Sequence, residues 1–280
     1  MNVINRSGAY SEKTDRVQVY NDTMELCKTR FKVPILPSTR INHIDIKFIP
    51  RFDKTKVFVF NCDTIDAAII MQEKKYKPLL LNMSDYAIPG GCVTSGSGAQ
   101  EENLFRRSNY FQHLTIDFYP MNDIYPLKPG QSPGHPAVYS PKVLVIKENE
   151  EKMYRLMDKP TYIDMIACPA IRYPDISSND LTRYSNQKEV DLMIEKIRMM
   201  LKVGYIYGHD VMVLSAAGCG AWGSPPEHTA EMFKQVLKEF PGAFKYVIFA
   251  ILDSEFNKNY SVFDKTLNNT VFESSDLTND

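Results

Sequence analysis

The chain has 280 residues, and its 33 basic and 34 acidic side chains give a formal net charge of −1. A charge this close to zero excludes proteins that coat nucleic acid or anionic membranes through bulk electrostatic attraction. Hydrophobic residues make up 44% of the sequence, enough for a sizeable core, and the lack of an apolar run of about 18 residues excludes a membrane-spanning helix.

The first third of the chain predicts two helices and three strands. Residues 1–15 are polar and predict a frayed N-terminal tail without the apolar core of a secretory signal. A helix is predicted from near Asp15, because apolar side chains then recur at helical spacing. Asp63 is expected to cap a second helix. Three strands are predicted, the first half-exposed and the third apolar throughout, at 43–49, 56–61 and 78–82.

Helices and strands continue to alternate through the rest of the chain. A helix is predicted from Gln100 to about residue 114, followed by an excursion rich in Pro and Gly at 114–135. Two further helices each carry an apolar face, formed by Val190, Ile194, Ile197 and Leu201 and by Phe233, Val236, Leu237 and Phe240. Strands are predicted at 139–148, 162–170, 211–217 and, as the last strand, 246–252. Residues 268–280 predict a polar C-terminal tail.

Apolar strands that alternate with amphipathic helices predict an α/β fold with helices on both faces of a layered sheet. Neither a repeat nor a linker divides the chain, so residues 16–267 are expected to form one domain. In such folds, ligands bind beyond the carboxyl ends of the strands. Two glycine-rich segments follow predicted strands directly, so we expect both to lie at this edge of the sheet.

The first of these segments, residues 83–99, is called here the first glycine loop. It contains the consecutive glycines Gly90 and Gly91 and leads into the consecutive carboxylates Glu101 and Glu102. Small residues allow a ligand to approach the backbone closely, and acidic residues beside such a loop are candidates for acid/base chemistry. Neighbouring helical residues point about 100° apart, so only one carboxylate is expected to face the reacting bond. The alternative is that both acids only favour the helix dipole.

The second segment, GCGAWG at 218–223, is called the second glycine loop. It stands between a predicted strand and a predicted helix, where backbone amides and the helix dipole can hold a phosphate. It is not a P-loop, since no Gly-Lys-Ser/Thr follows, and it lacks the acidic residue of a dinucleotide fingerprint. The sequence leaves a plain turn equally open. Trp222 is expected either to stack on a ligand ring or to be a core aromatic.

Other residue types point to no further chemistry. The five histidines have no metal-ligand spacing, so no metal site is expected, and a nucleophilic role for Cys92 is disfavoured. The five cysteines are far apart and form no CxxC pair, which favours free thiols in an intracellular protein. Taken together, these features predict a soluble protein of the cytoplasm or nucleus.

At this point the sequence resembles a known family. PGGC at 89–92, followed after seven residues by QEE at 100–102, resembles the signature of the poly(ADP-ribose) glycohydrolases, a triple glycine followed shortly by Gln-Glu-Glu. Four other segments are similar to the microbial members of that family: NMSD at 82–85, YSPKVLVIKE at 139–148, GCGAWGSPP at 218–226 and FAILD at 249–253. The likeness runs from about residue 16 to residue 265.

The resemblance implies a fold and an activity. The fold would be a three-layer α/β/α macrodomain with a mixed central sheet and an N-terminal helical extension. The activity would be hydrolysis of the ribose–ribose O-glycosidic bond, releasing ADP-ribose from poly(ADP-ribose) on modified proteins. The resemblance implies no metal ion and no organic cofactor, and no binding to nucleic acid or membrane is expected.

By position, the resemblance makes Glu102 the catalytic carboxylate and Glu101 its companion that holds ribose hydroxyls. Glu102 would donate a proton and then activate water, which requires desolvation to keep it protonated at the outset. The substrate-binding residues implied are Gly90, Gly91, Cys92, Gln100, Asp85, Gly218, Cys219, Gly220, Ala221 and Trp222.

The sequence departs from the family pattern at a few positions. Cys92 replaces the third glycine, and its Cβ is expected to restrict the backbone and narrow the cleft. Asp85 replaces a neutral residue and would repel a diphosphate if it pointed inward. Two alternative functions therefore stay open, a non-catalytic ADP-ribose reader and a hydrolase of mono-ADP-ribosylated side chains.

Overall fold

The structure is a computed structural model that describes residues 13–115, 124–127, 135–253 and 258–277. Its strands are β1 (Thr39–Ile41), β2 (Lys54–Phe60), β3 (Pro78–Asn82), β4 (Ala137–Lys147), β5 (Leu156–Ala167), β6 (Val211–Leu214), β7 (Tyr246–Ala250) and β8 (Val271–Glu273). Its helices are α1 (Lys13–Lys28), α2 (Thr64–Glu73), α3 (Gln100–Arg107), α4 (Phe111–Leu114), α5 (Gln187–Ile206), α6 (Pro226–Leu237) and α7 (Asn259–Leu267).

The strands form one mixed sheet in the order β1-β4-β5-β3-β6-β7-β2-β8. The five central strands, from β5 to β2, are parallel to their neighbours. Antiparallel pairs close both ends, β4 with β5 and β1 on one side and β8 with β2 on the other. This arrangement confirms the predicted α/β fold with a mixed central sheet.

Helices cover both faces of the sheet. One core cluster packs the apolar faces of α5, α6 and α7 against the sheet, and the other packs α1, α2, α3 and α4 against the opposite face. Successive residues of β3 belong to different clusters, Leu80 to one and Leu79 and Leu81 to the other, because strand side chains alternate between faces. All five residues of β3 are buried, as predicted for a strand covered on both sides.

Several local predictions are confirmed. Helix α1 begins close to Asp15, although the part of the predicted tail at 1–12 lies outside the described residues. Asp63 caps α2 by accepting hydrogen bonds from the backbone N–H groups of Ile65 and Asp66. In the described part of the chain, no helix is long and apolar enough to span a membrane.

The predicted strand at 43–49 is wrong. The alternation of apolar and polar side chains does correspond to one buried face, since Ile44 is buried and Phe48 packs against the core. Its backbone, however, pairs with side chains of α5: Lys202 Nζ donates to the Ile44 carbonyl at 3.1 Å, and Tyr205 Oη donates to the Ile49 carbonyl at 2.9 Å. The alternating pattern therefore reports one buried face of an extended segment, not membership of the sheet.

The helix predicted from Gln100 to residue 114 is broken in the middle. Helix α3 ends at Arg107, and Ser108 adopts an extended backbone with φ −145° that bridges Val145 of β4. Asn109 fixes the break, because its N–H donates to the Leu144 carbonyl and its side chain accepts from the Leu144 N–H at 2.7 Å. Most of the predicted excursion, 116–123 and 128–134, lies outside the described residues.

The predicted polar C-terminal tail is wrong for residues 271–273, and β7 is not the last strand. Strand β8 pairs with β2 and buries Phe272 in the core. The Val57 N–H also donates to the Thr270 carbonyl at 2.9 Å. A single buried aromatic and a few ladder hydrogen bonds hold this short strand, which is too little apolar pattern to stand out in a polar sequence.

Candidate active site

Both glycine loops emerge at the same edge of the sheet. The first follows the carboxyl end of β3 and the second follows that of β6, and these strands are adjacent and parallel. Between the loops lies a cavity of about 590 Å³, within the usual range for small-molecule sites. It is also lined by residues that follow β2, β5 and β7, so it lies where a ligand is expected in an α/β fold.

Most of the residues singled out by sequence line this cavity. They are Asp85, Gly91, Cys92, Gln100, Glu101, Glu102, Gly218, Gly220, Ala221 and Trp222. Gly90 and Cys219 do not line it. Gly90 packs against the Phe105 ring, and Cys219 packs against the core with its Sγ donating to the Ala217 carbonyl. Their contribution is to the shape of each loop, while direct contact with substrate stays a prediction.

Glu101 is buried and bound to the loop on both oxygens. Its Oε1 accepts from Asn82 Nδ2 at 3.2 Å and from the Gly90 N–H at 3.1 Å, and its Oε2 accepts from the Asp85 N–H at 2.7 Å. Burial raises the pKa of Glu101 to about 8, with a smaller contribution from the charge of Glu102, although these donors oppose the shift. Glu101 therefore fixes the first glycine loop to α3.

Glu102 is also buried but has a free oxygen. Its Oε1 accepts from the Cys92 N–H at 3.0 Å. Its Oε2 is buried and has no hydrogen-bond partner in the described residues. Glu102 itself lines the cavity, so this unpartnered oxygen belongs to a side chain at the cavity wall. The two neighbouring glutamates thus have different environments, as the helical geometry predicts.

The carboxylates of Glu101 and Glu102 leave no room for a side chain at Gly91. Its φ is +54°, and a Cβ built there would stand 2.7 Å from Glu102 Oε1 and 3.1 Å from Glu101 Oε2. Carbon and oxygen atoms do not approach so closely without displacement. Any side chain at this position would therefore push the Glu102 carboxylate out of place.

Cys92 does not need the backbone freedom of glycine. Its φ is −101°, which any L-residue adopts, and its side chain is exposed. Cys92 therefore adopts this backbone without strain, and the narrowing of the cleft by its side chain stays a prediction. Cys92 contributes its backbone N–H to the site, and this group orients Glu102 by donating a hydrogen bond to Oε1.

Buried polar side chains support the first glycine loop from below. Arg106 is fully buried and donates through Nη1 to the Ser97 carbonyl at 2.6 Å. Arg16 of α1 lies against Gly98, where an added Cβ would stand 2.6 Å from its guanidinium, and it pairs with Glu150 at 2.9 Å. Helix α1 is thus part of the framework of the site.

Gln100 and Asp85 hold the two ends of the first glycine loop. Gln100 accepts from the Met83 N–H at 3.0 Å and donates to the Leu81 carbonyl at 2.7 Å, which ties α3 to the end of β3. Asp85 Oδ1 accepts from the backbone N–H groups of Ala87 and Ile88. Both side chains have structural partners, and their contact with substrate stays a prediction.

The second glycine loop folds back on itself. The Ser224 N–H donates to the Gly218 carbonyl at 2.9 Å, and Gly218 has a φ of +80° that favours glycine. Within the described residues, no hydrogen bond is donated by the backbone N–H groups of Gly218, Gly220, Ala221 and Trp222. These amides line or border the cavity and form a suitable cradle for an anion. Trp222 is half-buried, and it both packs against the core and lines the cavity.

The family assignment rests on the first half of the chain. Residues 2–148 match the family model of the microbial-type PARG catalytic domain, where PARG is poly(ADP-ribose) glycohydrolase. The chain belongs to this family. The resemblance inferred from the glycine–QEE signature is confirmed, and the protein is a glycohydrolase that acts on ADP-ribose polymers.

Solved structures with the same fold cover most of this glycohydrolase. A poly(ADP-ribose) glycohydrolase from Thermomonospora curvata is 22% identical, with a TM-score of 0.71 over 90% of this chain and 99% of that chain. One from Deinococcus radiodurans, in complex with ADP-ribose, is 22% identical, with a TM-score of 0.65 over 95% of this chain and 98% of that chain. Among curated proteins, none matches the chain in sequence.

The charge of the glycohydrolase cavity is strongly unbalanced. Seven carboxyl side chains line it: Asp63, Asp66, Asp85, Glu101, Glu102, Glu150 and Glu151. Three of them pair with arginines that do not line the cavity: the fully buried Arg107 pairs with Asp63 at 2.5 Å and with Asp66 at 2.7 Å, and Arg16 pairs with Glu150 at 2.9 Å. Among the described residues that line the cavity, Arg172 is the single basic side chain. No group of three or more potential metal ligands is found in the described ranges.

Sequence reasoning missed Arg172 and its neighbour Tyr173. They follow the carboxyl end of β5 in a segment with no glycine pattern, and neither stands in the part of the chain that carries the family signature. The rule that ligands bind beyond strand ends points to this segment, but only once the strand order is known. Asn103, which directly follows the glutamate pair, lines the cavity and was also missed.

Proposed function

We propose that the glycohydrolase binds ADP-ribose across the cavity and cleaves the ribose–ribose O-glycosidic bond with Glu102 as the single acid/base group. The observation that carries this proposal is the buried Glu102 Oε2, which has no partner in the described residues and belongs to a side chain that lines the cavity. A buried carboxylate oxygen without a partner is costly, so a site keeps one where a ligand or a reacting group supplies the partner.

The chemistry needs a proton donor and later a base at the same oxygen. Departure of the leaving ribose requires a proton on its oxygen, and the sugar then carries an oxocarbenium-like charge. Glu102 donates that proton and afterwards takes one from the attacking water. Glu101 lies next to it and accepts hydrogen bonds from Asn82 Nδ2 and from the backbone N–H groups of Asp85 and Gly90, which hold the loop in place. We assign Glu101 a positioning role, with its remaining acceptor capacity available to a ribose hydroxyl.

The diphosphate is proposed to lie on the second glycine loop. The N–H groups of Gly218, Gly220, Ala221 and Trp222, which have no acceptor among the described residues, would donate to the phosphate oxygens. Gly91 and Cys92 line the wall next to Glu102 and would contact the distal ribose. A substrate held at both walls brings its anomeric carbon to a fixed carboxylate, which is the main source of catalysis by positioning.

The test compares three purified proteins on poly(ADP-ribosyl)ated substrate: the wild type, Glu102→Gln and Glu73→Gln. Glu73 is exposed at the end of α2 and does not line the cavity, so it is the matched control. We expect release of ADP-ribose by the wild type and Glu73→Gln, and a loss of about 10²–10⁴-fold in Glu102→Gln. Binding of ADP-ribose by Glu102→Gln, measured by calorimetry, should persist.

Other outcomes would select a different function. Binding without release by the wild type would identify a reader of ADP-ribose. Release from mono-modified protein but not from polymer would identify a mono-ADP-ribosyl hydrolase. The proposed partners are ADP-ribosylated proteins, and the near-neutral charge of the chain gives no basis for direct nucleic-acid binding. The five free cysteines fit a reducing cytoplasm or nucleus as the proposed site of action.

A further inference from the structure

The cavity has a single basic side chain within the described residues, and it stands between the two glycine loops. Arg172 is about half exposed, with 45% of its side chain accessible. Its Nη1 lies 3.9 Å from Asp85 Oδ2, on the side of the first glycine loop. This separation is longer than a hydrogen bond, so the pair is a loose ion pair that a competing anion can replace.

The backbone next to Arg172 is fixed to the second glycine loop. The N–H of Tyr173 donates to the Trp222 carbonyl at 3.1 Å. Tyr173 has a φ of +53°, a conformation that bulky residues rarely adopt unless the surroundings impose it. Its ring centroid lies 5.3 Å from the Arg172 guanidinium carbon. The segment therefore presents the guanidinium beside the loop proposed to hold the diphosphate.

The charge of the site gives Arg172 a specific task. A diphosphate carries negative charge into a cavity lined by seven carboxyl groups, of which only Asp63, Asp66 and Glu150 pair with the arginines Arg107 and Arg16. Backbone amides supply dipoles but no net positive charge. Guanidinium is the side chain best suited to two phosphate oxygens, because its N–H groups form a planar fork. Asp85 meanwhile keeps its other oxygen on the N–H groups of Ala87 and Ile88.

We propose that Arg172 binds the diphosphate of the ADP-ribose unit held in the cavity, leaving Asp85 as the ligand enters. This inference rests on the proposed function and adds to it a charged substrate contact that the glycine loops do not provide. Asp85 is then a competitor for Arg172: it holds the guanidinium at the rim of the empty site and weakens its attraction for the ligand.

The test uses the Glu102→Gln protein as parent, so that binding is measured without turnover. Dissociation constants for ADP-ribose and for adenosine, which has no phosphate, are measured by calorimetry at two ionic strengths. Arg172→Ala should weaken ADP-ribose binding about tenfold, the usual size of a charge-assisted bond at a partly exposed site, and flatten its salt dependence. Arg172→Lys should keep part of the affinity. Adenosine binding should not change.

Two further variants make the inference specific. Arg155→Ala removes an exposed arginine that does not line this cavity and should change the affinity for ADP-ribose less than about twofold. Asp85→Asn keeps an oxygen for Ala87 and Ile88 but removes the competing charge, so it should bind ADP-ribose more tightly, by about two- to fivefold. The two charged residues are thus predicted to act in opposite directions.

Clear results would overturn the inference. If Arg172→Ala and the parent bind ADP-ribose with equal affinity, Arg172 does not contact the diphosphate. Because the parent still binds ADP-ribose in that case, the proposed function would stand. A loss seen with the polymer but not with ADP-ribose would place Arg172 on a neighbouring unit and contradict the assignment. If the parent fails to bind ADP-ribose at all, the inference and the proposed function both fall.

Discussion

Replacing each glutamate of the pair by glutamine should have opposite consequences for stability and activity. Glu101 Oε1 accepts two N–H groups and Oε2 accepts a third, from Asp85 at 2.7 Å. A carboxyl group retains two accepting oxygens even when it is protonated, but an amide has one. In Glu101→Gln, the new NH₂ group must therefore face a backbone N–H or leave two others without an acceptor.

The size of this effect follows from the number of lost bonds. One lost hydrogen bond with a donor left unpaired in a buried site costs about 1–3 kcal/mol. In a domain of this size each kcal/mol lowers the melting temperature by about 2–4 °C, so Glu101→Gln should melt about 2–12 °C below the wild type. Glu102→Gln keeps its single bond to the Cys92 N–H and puts the NH₂ group where Oε2 already has no partner, so no hydrogen bond is lost. Its cost should stay below about 1 kcal/mol.

The assay is thermal and urea unfolding of the wild type and both variants, with turnover measured on the same samples. We expect Glu102→Gln to be stable and inactive, and Glu101→Gln to be destabilised. Equal stability of the two variants, or a larger loss in Glu102→Gln, would refute the division of the pair into an anchoring and a reacting carboxyl group.

Three further predictions concern the first glycine loop and Glu101, which anchors it. Gly91→Ala should reduce kcat about 10²-fold, because its Cβ would displace the Glu102 carboxylate, and steady-state kinetics with near-normal activity would contradict this. Cys92→Gly should leave kcat within about threefold and cost about 0.5–1 kcal/mol in urea unfolding, since the site uses only the backbone N–H at this position; a loss of most activity would show that the thiol matters. The free energy of unfolding should also depend on the protonation of the Glu101 carboxyl group. Its pKa is raised from 4.5 to about 8, so between these two pH values the folded protein holds a proton that the unfolded chain has released. The free energy of unfolding of the wild type should therefore fall relative to that of Glu101→Gln as the pH rises through this window, and parallel pH curves would contradict the shift.

The periodicity of the sequence predicted most of the sheet because its central strands are buried on both faces. β3 and β6 are short, mainly apolar runs that are buried throughout, as expected of strands covered on both faces. The glycine loops could then be placed at one edge, since parallel strands end together. The same approach failed at 43–49, where an apolar face packs on α5 without joining the sheet, and at β8, where Phe272 is the main buried contact.

The site could be predicted only where its residues are consecutive in the chain. The glutamate pair and the second glycine loop stand in short motifs, so their chemistry is visible in the sequence. The different roles of Glu101 and Glu102 depend on which backbone N–H groups fold back towards each oxygen, and no residue pattern encodes that. Arg172 reaches the cavity from the end of β5, and its importance follows from the absence of other basic side chains among the described residues around it.

The most direct test of the account is a crystal structure of Glu102→Gln with bound ADP-ribose. The account predicts that the substituted side chain at position 102 lies about 3 Å from the hydroxyl oxygen on the anomeric carbon, the range of a productive proton transfer, with the diphosphate on the amides of residues 218–222. A diphosphate bound elsewhere, or a side chain at position 102 that does not reach the anomeric oxygen, would contradict it.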